Sequence, residues 1–267
     1  EYYEKTKDIE FIEIHYRDVI KKMAGFLVSY IDETTGLPKP SYDLWEEKYG
    51  TSTFTSCAVY AGLIASQKFA HLFGENTEEE LYANTALRVK EAILKYLYDD
   101  DMKMFVKHLN IKNGEYIYDR VIDMSSIYGI FNYDVLPIDD ERVVNSIKTI
   151  EEKLRLKNGI DGVPRYAHDQ YYKQVEDVPN PWYITTRWLA QYYVRNAKTM
   201  EDLDIVRYWL EWVVIHSPAS GVLSEQLHPY TGEQLSATPL TWSHAEYVRT
   251  IMMYHKKLQD LGMCLPG

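Results

Sequence analysis

The sequence predicts an all-α domain, and three observations support this prediction. Apolar residues recur at steps of three and four along nearly the whole chain, which is the spacing of one face of an α-helix. Turn and capping residues divide this pattern into eight segments, and the connections between the segments differ strongly in length. With 267 residues and 46% hydrophobic content, the chain can bury one large core, so residues 1–267 are assigned to a single domain.

Eight predicted helices account for most of the chain. The first shows the pattern plainly, because Ile12, Tyr16, Val19, Met23 and Leu27 form one apolar stripe. The predicted helical ranges are 7–32, 52–74, 77–98, 121–132, 139–155, 182–197, 200–216 and 242–261.

Short local signals mark where elements begin and turn. The segments Thr77–Glu80 and Ser243–Glu246 have the spacing of a capping box, and Asp139 is expected to begin another helix. Met104–Asp119 is the only strand-like segment that the pattern indicates. Within it, Asn113-Gly114 predicts a type I′ hairpin turn, because both residues tolerate positive φ.

The connections between the predicted helices alternate in length. If consecutive helices are antiparallel, alternate connections lie at opposite ends of the array, so all the long ones gather at one end. Elaborate loops on one face of a packed domain usually carry its functional site. The long connections are 33–51, 99–120, 156–181 and 217–241, and the short ones lie near 75, 133–138 and 198–199.

Composition and charge exclude several classes of partner. The chain carries 29 Lys and Arg against 40 Asp and Glu, and this acidity repels phosphate backbones, so we expect no nucleic-acid partner. No apolar run approaches the ~18 residues that a membrane span needs, so we expect no membrane partner. No signal peptide is visible, which favours the cytoplasm, although the chain begins with Glu1 rather than Met. Cys57 and Cys264 indicate neither a disulfide framework nor a zinc site.

Two long connections each carry a carboxylate beside aromatic or polar residues. In the first, Glu46 lies between Trp45 and Glu47, with Asp43 close by. Like charge and apolar cover both disfavour ionisation, which suits a general acid that must hold its proton. In the second, Glu225 is a candidate general base. Two carboxylates facing each other across a sugar-sized gap perform glycoside hydrolysis.

The candidate base needs hydrogen-bond partners that keep it charged and aimed. Ser236, further along the same connection as Glu225, is the predicted partner. Taken alone, each of the two acidic segments also fits an ordinary solvated loop, since charged residues usually face solvent.

A third connection contributes a cation and an aromatic ring. Arg165 is predicted to form a bidentate clamp on sugar hydroxyls or on a loop carboxylate. Trp182 is predicted to form a stacking platform. Three other tryptophans lie inside predicted helices and are expected in the core, namely Trp188, Trp209 and Trp212.

Other chemical signals are weaker. His168-Asp169, and the set Glu225, His228 and His244, match no zinc spacing, so we predict no metal and no other cofactor. Asp99-Asp100-Asp101 resembles part of a magnesium–diphosphate motif, which would suggest a terpene-cyclase-like helical enzyme. Such an enzyme needs a wholly apolar cavity, and the Tyr- and Trp-rich polar loops argue against one.

Several short segments follow one another in order over nearly the whole chain. They are Gly36-Leu37-Pro38, Tyr42–Glu47, Arg165-Tyr166, Asn180-Pro181-Trp182, Ser224-Glu225-Gln226, Gly232–Ser236 and Leu240–Ser243. Each segment is weak alone, but the set is highly specific. Together they resemble the catalytic domain of family 15 glycoside hydrolases, the glucoamylases and glucodextranases.

This resemblance implies an (α/α)6 toroid and an inverting exo-hydrolase that releases glucose from non-reducing ends of α-linked glucose oligosaccharides or polysaccharides. By motif position, Glu46 corresponds to the general acid and Glu225 to the general base. The residues implied to bind sugar or shape the site are Asp43, Trp45, Glu47, Arg165 and Trp182. Those implied to support the base are Gln226, Ser236 and Trp242.

The chain departs from the family pattern in its helix count. The toroid has twelve helices and the sequence predicts eight, which correspond to the last eight by the position of Glu46. An Arg-Asp pair that the first four helices bring to the sugar has no counterpart here. An open ring would expose apolar helix faces, which favours self-association.

The substrate stays open at this point. Hydrolysis of α-1,6 linkages or of trehalose is an alternative within the family, and a non-catalytic glycan-binding or structural helical protein is an alternative outside it.

Overall fold

The computed structural model describes residues 2–262, and most of these residues lie in helices. A π-helical turn covers Tyr16–Ile20, and a 3-10 turn covers Glu201–Leu203. Within residues 2–262, each helix is too short or too polar to cross a membrane. The α-helices are α1 (Tyr2–Thr6), α2 (Ile9–His15), α3 (Lys21–Ser29), α4 (Thr53–Leu72), α5 (Asn76–Tyr96), α6 (Met124–Asn132), α7 (Glu141–Lys153), α8 (Tyr183–Asn196), α9 (Asp204–His216) and α10 (Thr241–Asp260).

The first predicted helix, 7–32, corresponds to one continuous helical segment, 9–29, which is formed by α2, the π-helical turn and α3. Lys7 has a φ of 57°, which separates the preceding helix α1 from α2. The Asp8 side chain then accepts the backbone N–H of Phe11, which caps the start of α2. The widened turn that follows directs Tyr16 toward α5, where its hydroxyl donates to Glu75 over 2.8 Å. The other predicted helices correspond to α4 through α10, with ends differing by a few residues.

The expected capping signals were wrong in detail. Helix α5 begins at Asn76 after Glu75, so Thr77 lies inside the helix. Helix α10 begins at Thr241, and the Ser243 hydroxyl donates instead to the Ser224 carbonyl, 2.7 Å away. The Ser243 hydroxyl is therefore bonded to the loop that carries Ser224 and does not cap α10. Asp140, one residue after the predicted position, caps α7.

Short strands complete the framework, and only part of them was predicted. The strands are β1 (Ser41–Tyr42), β2 (Tyr49–Ser52), β3 (Tyr98–Asp99), β4 (Met104–Phe105), β5 (His108–Lys112), β6 (Glu115–Asp119), β7 (Gln226–Leu227) and β8 (Gln234–Leu235). The type I′ hairpin is confirmed, because Asn113 and Gly114 have φ values of 54° and 81° between the paired strands β5 and β6. One four-stranded sheet has the order β1-β2-β5-β6, while β3 pairs with β4 and β7 with β8.

Aromatic side chains fill much of the core between the helices. Trp188 on α8 is fully buried and stacks on Tyr128 of α6, with ring centroids 4.0 Å apart and an 8° angle between the planes. Trp209 and Trp212 are also buried, so the prediction that these three tryptophans belong to the core is confirmed. Cys57 is a buried free thiol of α4, and Cys264 lies outside the described residues.

The four long connections meet one another, as the alternation of loop lengths predicts. Strand β2 of the first pairs with β5 of the second. Met124, the first residue of α6 after the second connection, donates its N–H to the Arg165 carbonyl of the third over 3.0 Å. The third joins the fourth, because Ile160 N–H donates to the Pro229 carbonyl over 2.9 Å. The loops therefore form one continuous surface.

Candidate functional site

The residues between β1 and β2 form a tight turn, 43–48, that presents Glu46. One carboxylate oxygen of Asp43 accepts the backbone N–H groups of Glu47 and Lys48 at 2.9 and 3.2 Å. The Glu46 N–H donates to the Asp43 carbonyl at 3.0 Å, and Glu46 itself has a φ of 58°. Asp43 is buried and Glu46 is exposed. The buried carboxylate thus fixes the backbone that carries the exposed one.

Arg165 holds two carboxylates beside this turn. Its guanidinium is buried and forms a bidentate pair with Asp169, at 2.7 and 2.8 Å. The same group reaches Glu47 at 2.6 Å. Burial disfavours the cation, but the carboxylates of Asp169 and Glu47 outweigh it, so the pKa of Arg165 lies above its ordinary value. Of the two predicted roles, a clamp on loop carboxylates is the one that these contacts match.

Tyr166 gives Glu47 a second partner. Its hydroxyl donates to the other carboxylate oxygen of Glu47 at 2.5 Å. Burial and this hydrogen bond raise the pKa of Tyr166, so the phenol keeps its proton and remains a donor. The sequence predicted that Glu47 acts on Glu46 as a like charge. In the structure, the Glu47 carboxylate binds Arg165 and Tyr166 instead.

Trp45 lies under the turn in a cluster of tryptophans. Its ring centroid is 6.0 Å from Trp182, 5.9 Å from Trp188 and 6.3 Å from Trp242. The Trp45 indole N–H donates to Asp123 at 2.9 Å. Trp45 and Trp182 are both buried, and the Arg165 guanidinium lies 5.2 and 4.8 Å from their rings. These rings form a rigid base for the surrounding loops.

Glu225 lies between α9 and α10, immediately before β7. The Ser236 hydroxyl donates to its carboxylate at 2.5 Å, which confirms the predicted hydrogen bond. The Glu225 N–H donates to the Ala237 carbonyl at 3.0 Å, which holds the two sides of the loop together. Glu225 is partly exposed, so its carboxylate is both restrained and open to solvent.

Gln226, next to Glu225, is fully buried. Its side-chain oxygen accepts from Asn180 at 2.7 Å, and its backbone forms a β-bridge with Trp182. Trp182 in turn contacts Trp45, so these two indole rings connect the segment carrying Glu225 to the turn carrying Glu46. Trp242 joins the same cluster, and its indole N–H donates to Glu246 at 3.2 Å. The structure thus brings the predicted site residues into one connected set.

Comparison with known proteins identifies the family. A family model described as glycosyl hydrolases family 15 matches residues 12–213 and 204–252. The chain belongs to glycosyl hydrolase family 15. One relative, an uncharacterized glycosyl hydrolase of Methanocaldococcus jannaschii, is 30% identical over 256 residues, covering 92% of this chain and 38% of the relative. Trehalase 2 of Sulfolobus acidocaldarius is 26% identical over 257 residues, covering 95% of this chain and 40% of the trehalase.

Solved structures of family 15 share the fold. A bacterial glucoamylase complexed with acarbose has a TM-score of 0.75 at 20% identity, covering 91% of this chain and 38% of that one. The family 15 glucoamylase of Hypocrea jecorina has a TM-score of 0.70 at 17% identity, covering 93% of this chain and 49% of that one. These glucoamylases have an (α/α)6 toroid, and the helices of this chain follow it. The chain spans less than half the length of these relatives and structures.

A group of buried ionisable side chains beneath the turn 43–48 was not predicted from the sequence. Lys107, His108 and Asp123 are all nearly inaccessible to solvent. Burial lowers the pKa of His108, so the ring is neutral at neutral pH. Two signals were available in the sequence. Lys107 directly precedes the half-apolar strand β5 and His108 begins it, and Asp123 directly precedes α6. Their burial depends on contacts between distant segments, which periodicity does not report.

The weaker sequence signals have ordinary structural roles. One Asp99 oxygen accepts the N–H groups of Asp101 and Met102, and the other accepts from Arg120, which closes the β3–β4 turn. His228 accepts two backbone N–H groups of its own loop, and His244 accepts one from Leu223. Within residues 2–262, no three His, Cys, Asp or Glu side chains are grouped as a metal would require.

Proposed function

We propose that this chain carries the general acid and general base of an inverting, exo-acting α-glucoside hydrolase, which releases glucose from the non-reducing ends of α-glucans or oligosaccharides. The observation that carries the proposal is the connection between the two carboxylate segments. Trp45 beside Glu46 contacts Trp182, and Trp182 is paired with Gln226 beside Glu225. Family membership and the glucoamylase structures support the same reaction class.

In the proposed reaction, protonated Glu46 donates its proton to the glycosidic oxygen as the bond to the anomeric carbon breaks. Glu225 removes a proton from a water molecule, whose oxygen attacks that carbon from the opposite face. The sugar leaves with inverted configuration. Because the water must fit between base and sugar, the two carboxyl groups should be separated by about 6.5–9.5 Å.

The remaining residues have distinct proposed roles. Glu47, Arg165 and Trp182 shape the sugar-binding wall, with Glu47 the exposed member of the set. Asp43 and Trp45 hold the turn that carries the acid. The groups proposed to support the base are Gln226, Ser236 and Trp242.

We further propose that residues 1–267 correspond to the last eight helices of the toroid, so that four more helices would complete the pocket wall. This proposal accounts for large apolar side chains that α2, α3 and α10 leave exposed. It also accounts for the exposed position of Glu46, which a completed wall would cover. Without that cover, the same apolar faces favour self-association. The exposed apolar side chains include Ile14, Met23, Phe26, Val248 and Met252.

Trehalose is the second candidate substrate, because one relative is named as a trehalase. Glucose release from maltose, isomaltose and trehalose by the full-length protein distinguishes α-1,4, α-1,6 and trehalose specificity. Release from none of the three would instead indicate a glycan-binding or structural role.

Substitution of the base tests the assignment of residues. Glu225→Gln should lower kcat by about 10²–10⁴-fold with little change in KM, because the amide cannot accept the proton from water. Glu233→Gln, an exposed residue of the same loop, is the matched control and should keep wild-type kinetics. A Glu225→Gln protein that releases glucose at the wild-type rate would refute the role.

A further inference from the structure

Lys107 is a buried cation with no role in the proposed reaction. Its side chain is 2% exposed, and its ammonium lies 3.0 Å from Asp123 and 3.6 Å from Asp43. His108 lies 3.7 Å from the same Asp43 oxygen, but burial leaves it neutral at neutral pH. The ammonium of Lys107 is therefore the charge that compensates two buried carboxylates. Uncompensated, such carboxylates would be strongly unfavourable.

Each group around this ammonium holds a different part of the proposed site. Asp43 accepts the backbone N–H groups that close the turn presenting Glu46. Asp123 accepts the indole N–H of Trp45 with the same oxygen that faces Lys107. The ring of Tyr166, whose hydroxyl donates to Glu47, lies 3.6 Å from the ammonium. One cation thus contacts the supports of Glu46, Trp45 and Glu47.

We propose that Lys107 is a positioning residue, which fixes the turn 43–48 over the tryptophan cluster by holding Asp43 and Asp123 together. The inference rests on the proposed function, because its catalytic consequence is the placement of Glu46. Without the ammonium, the two carboxylates repel each other, and the turn loses its fixed position. A displacement of about 1 Å in a catalytic group can cost about 10²-fold in rate.

The experiment compares Lys107→Met with Lys107→Arg in the full-length protein, with Lys112→Met as the control. Lys112 is an exposed lysine at the far end of β5. Lys107→Met should lower kcat by about 10²-fold, with KM for maltose changed by less than about threefold. Lys107→Arg should recover most of the lost rate, because it restores the charge, and Lys112→Met should behave as wild type.

A second readout reports the turn without requiring turnover. In protein labelled with 5-fluorotryptophan, the ¹⁹F resonance of Trp45, assigned with Trp45→Phe, should shift in Lys107→Met and return in Lys107→Arg. If the wild-type protein releases no glucose, the proposed function fails, and this resonance still decides the role of Lys107. If Lys107→Met does not fold, the same comparison is made between Asp43→Asn and Asp43→Asn/Lys107→Met, where one buried negative charge is already removed.

Three results would overturn the inference. The first is wild-type kcat in folded Lys107→Met. The second is a loss of activity no greater than its loss of folded protein, which would mean that Lys107 is only structural. The third is a Trp45 resonance that does not respond to removal of the ammonium in either background.

Discussion

At the scale of single residues, the site depends on how each carboxylate is held. Ser236 has a φ of 65°, an uncommon conformation for a residue with a side chain, and its hydroxyl donates to Glu225. Glu47 by contrast is held by Arg165 and Tyr166. Both glutamates of this acidic run are exposed, but Glu47 is paired with Arg165 and Tyr166 and Glu46 is not. This difference supports the choice of Glu46, rather than Glu47, as the acid.

Ser236→Ala tests the support of the base. Removing a hydrogen bond to a charged group costs about 1.5–3 kcal/mol, so kcat should fall by about ten- to a hundredfold. KM should change little, because the contact aims the base rather than binding the sugar. Ser220→Ala, in an exposed part of the same connection, is the control. Equal kcat values for Ser236→Ala and Ser220→Ala would show that the hydroxyl does not act on Glu225.

His108 predicts a pH dependence of stability. It faces Asp43, Asp119, Asp123 and Lys107, and burial lowers its pKa. Below about pH 6.5, the unfolded histidine binds a proton that the folded one does not. The contribution of neutral His108 to the free energy of unfolding is therefore fully present above that pH. This contribution is lost as the pH falls toward the lower, folded-state pKa.

Thermal unfolding between pH 7.5 and 5 measures this contribution. His108→Gln should flatten the decline of Tm below about pH 6.5. Over each pH unit in which only the unfolded histidine is protonated, the free energy of unfolding falls by about 1.4 kcal/mol, and glutamine does not titrate. The exposed His255→Gln is the control and should retain the wild-type decline. Identical slopes in the wild type and His108→Gln would contradict the prediction.

At the scale of elements, the loops that carry the site are joined backbone to backbone. The third and fourth long connections meet where Ile160 N–H donates to the Pro229 carbonyl. Gly159 makes this approach possible, because its φ is 75° and a Cβ at this position would collide with the Pro229 carbonyl oxygen. The position of the loop that carries Glu225 thus depends on a residue that lacks a side chain.

Gly159→Ala and Gly74→Ala form a matched pair for this contact. Both glycines have positive φ, but a Cβ on Gly74 would meet open space. Gly74→Ala should lower the free energy of unfolding by about 1 kcal/mol from backbone strain alone. Gly159→Ala should lower it by at least about 2 kcal/mol, because the clash adds to the strain. Similar losses in urea denaturation would show that the backbone contact is unimportant.

The elements also show what the sequence could and could not predict. Helices α4 to α10 follow from their apolar periodicity, and the β5–β6 hairpin follows from Asn113-Gly114. Pairs of two-residue strands such as β7–β8 were not predictable, because their pairing depends on loops already being in place. The hydrogen bond from Ser236 to Glu225 was predicted from the need of a base for a partner. The buried charge of Lys107 was not, because its compensation comes from segments distant in the sequence.

At the scale of the whole molecule, the architecture joins segments that are distant in the sequence. The helices follow part of an (α/α)6 toroid, and the long connections join in series through backbone hydrogen bonds. Glu46 and Glu225 are thereby carried on one loop surface over one aromatic cluster.

The configuration of the released glucose tests the paired roles of Glu46 and Glu225 most directly. In ¹H NMR spectra of the full-length protein with a long maltooligosaccharide, each cleavage releases one glucose from the non-reducing end, and its β-anomeric signal should appear first and convert to the α-anomer by mutarotation. This order requires water to attack the face opposite the leaving group, as a base on one side and an acid on the other would direct it. Initial release of α-glucose would mean retention of configuration and would contradict the assignment.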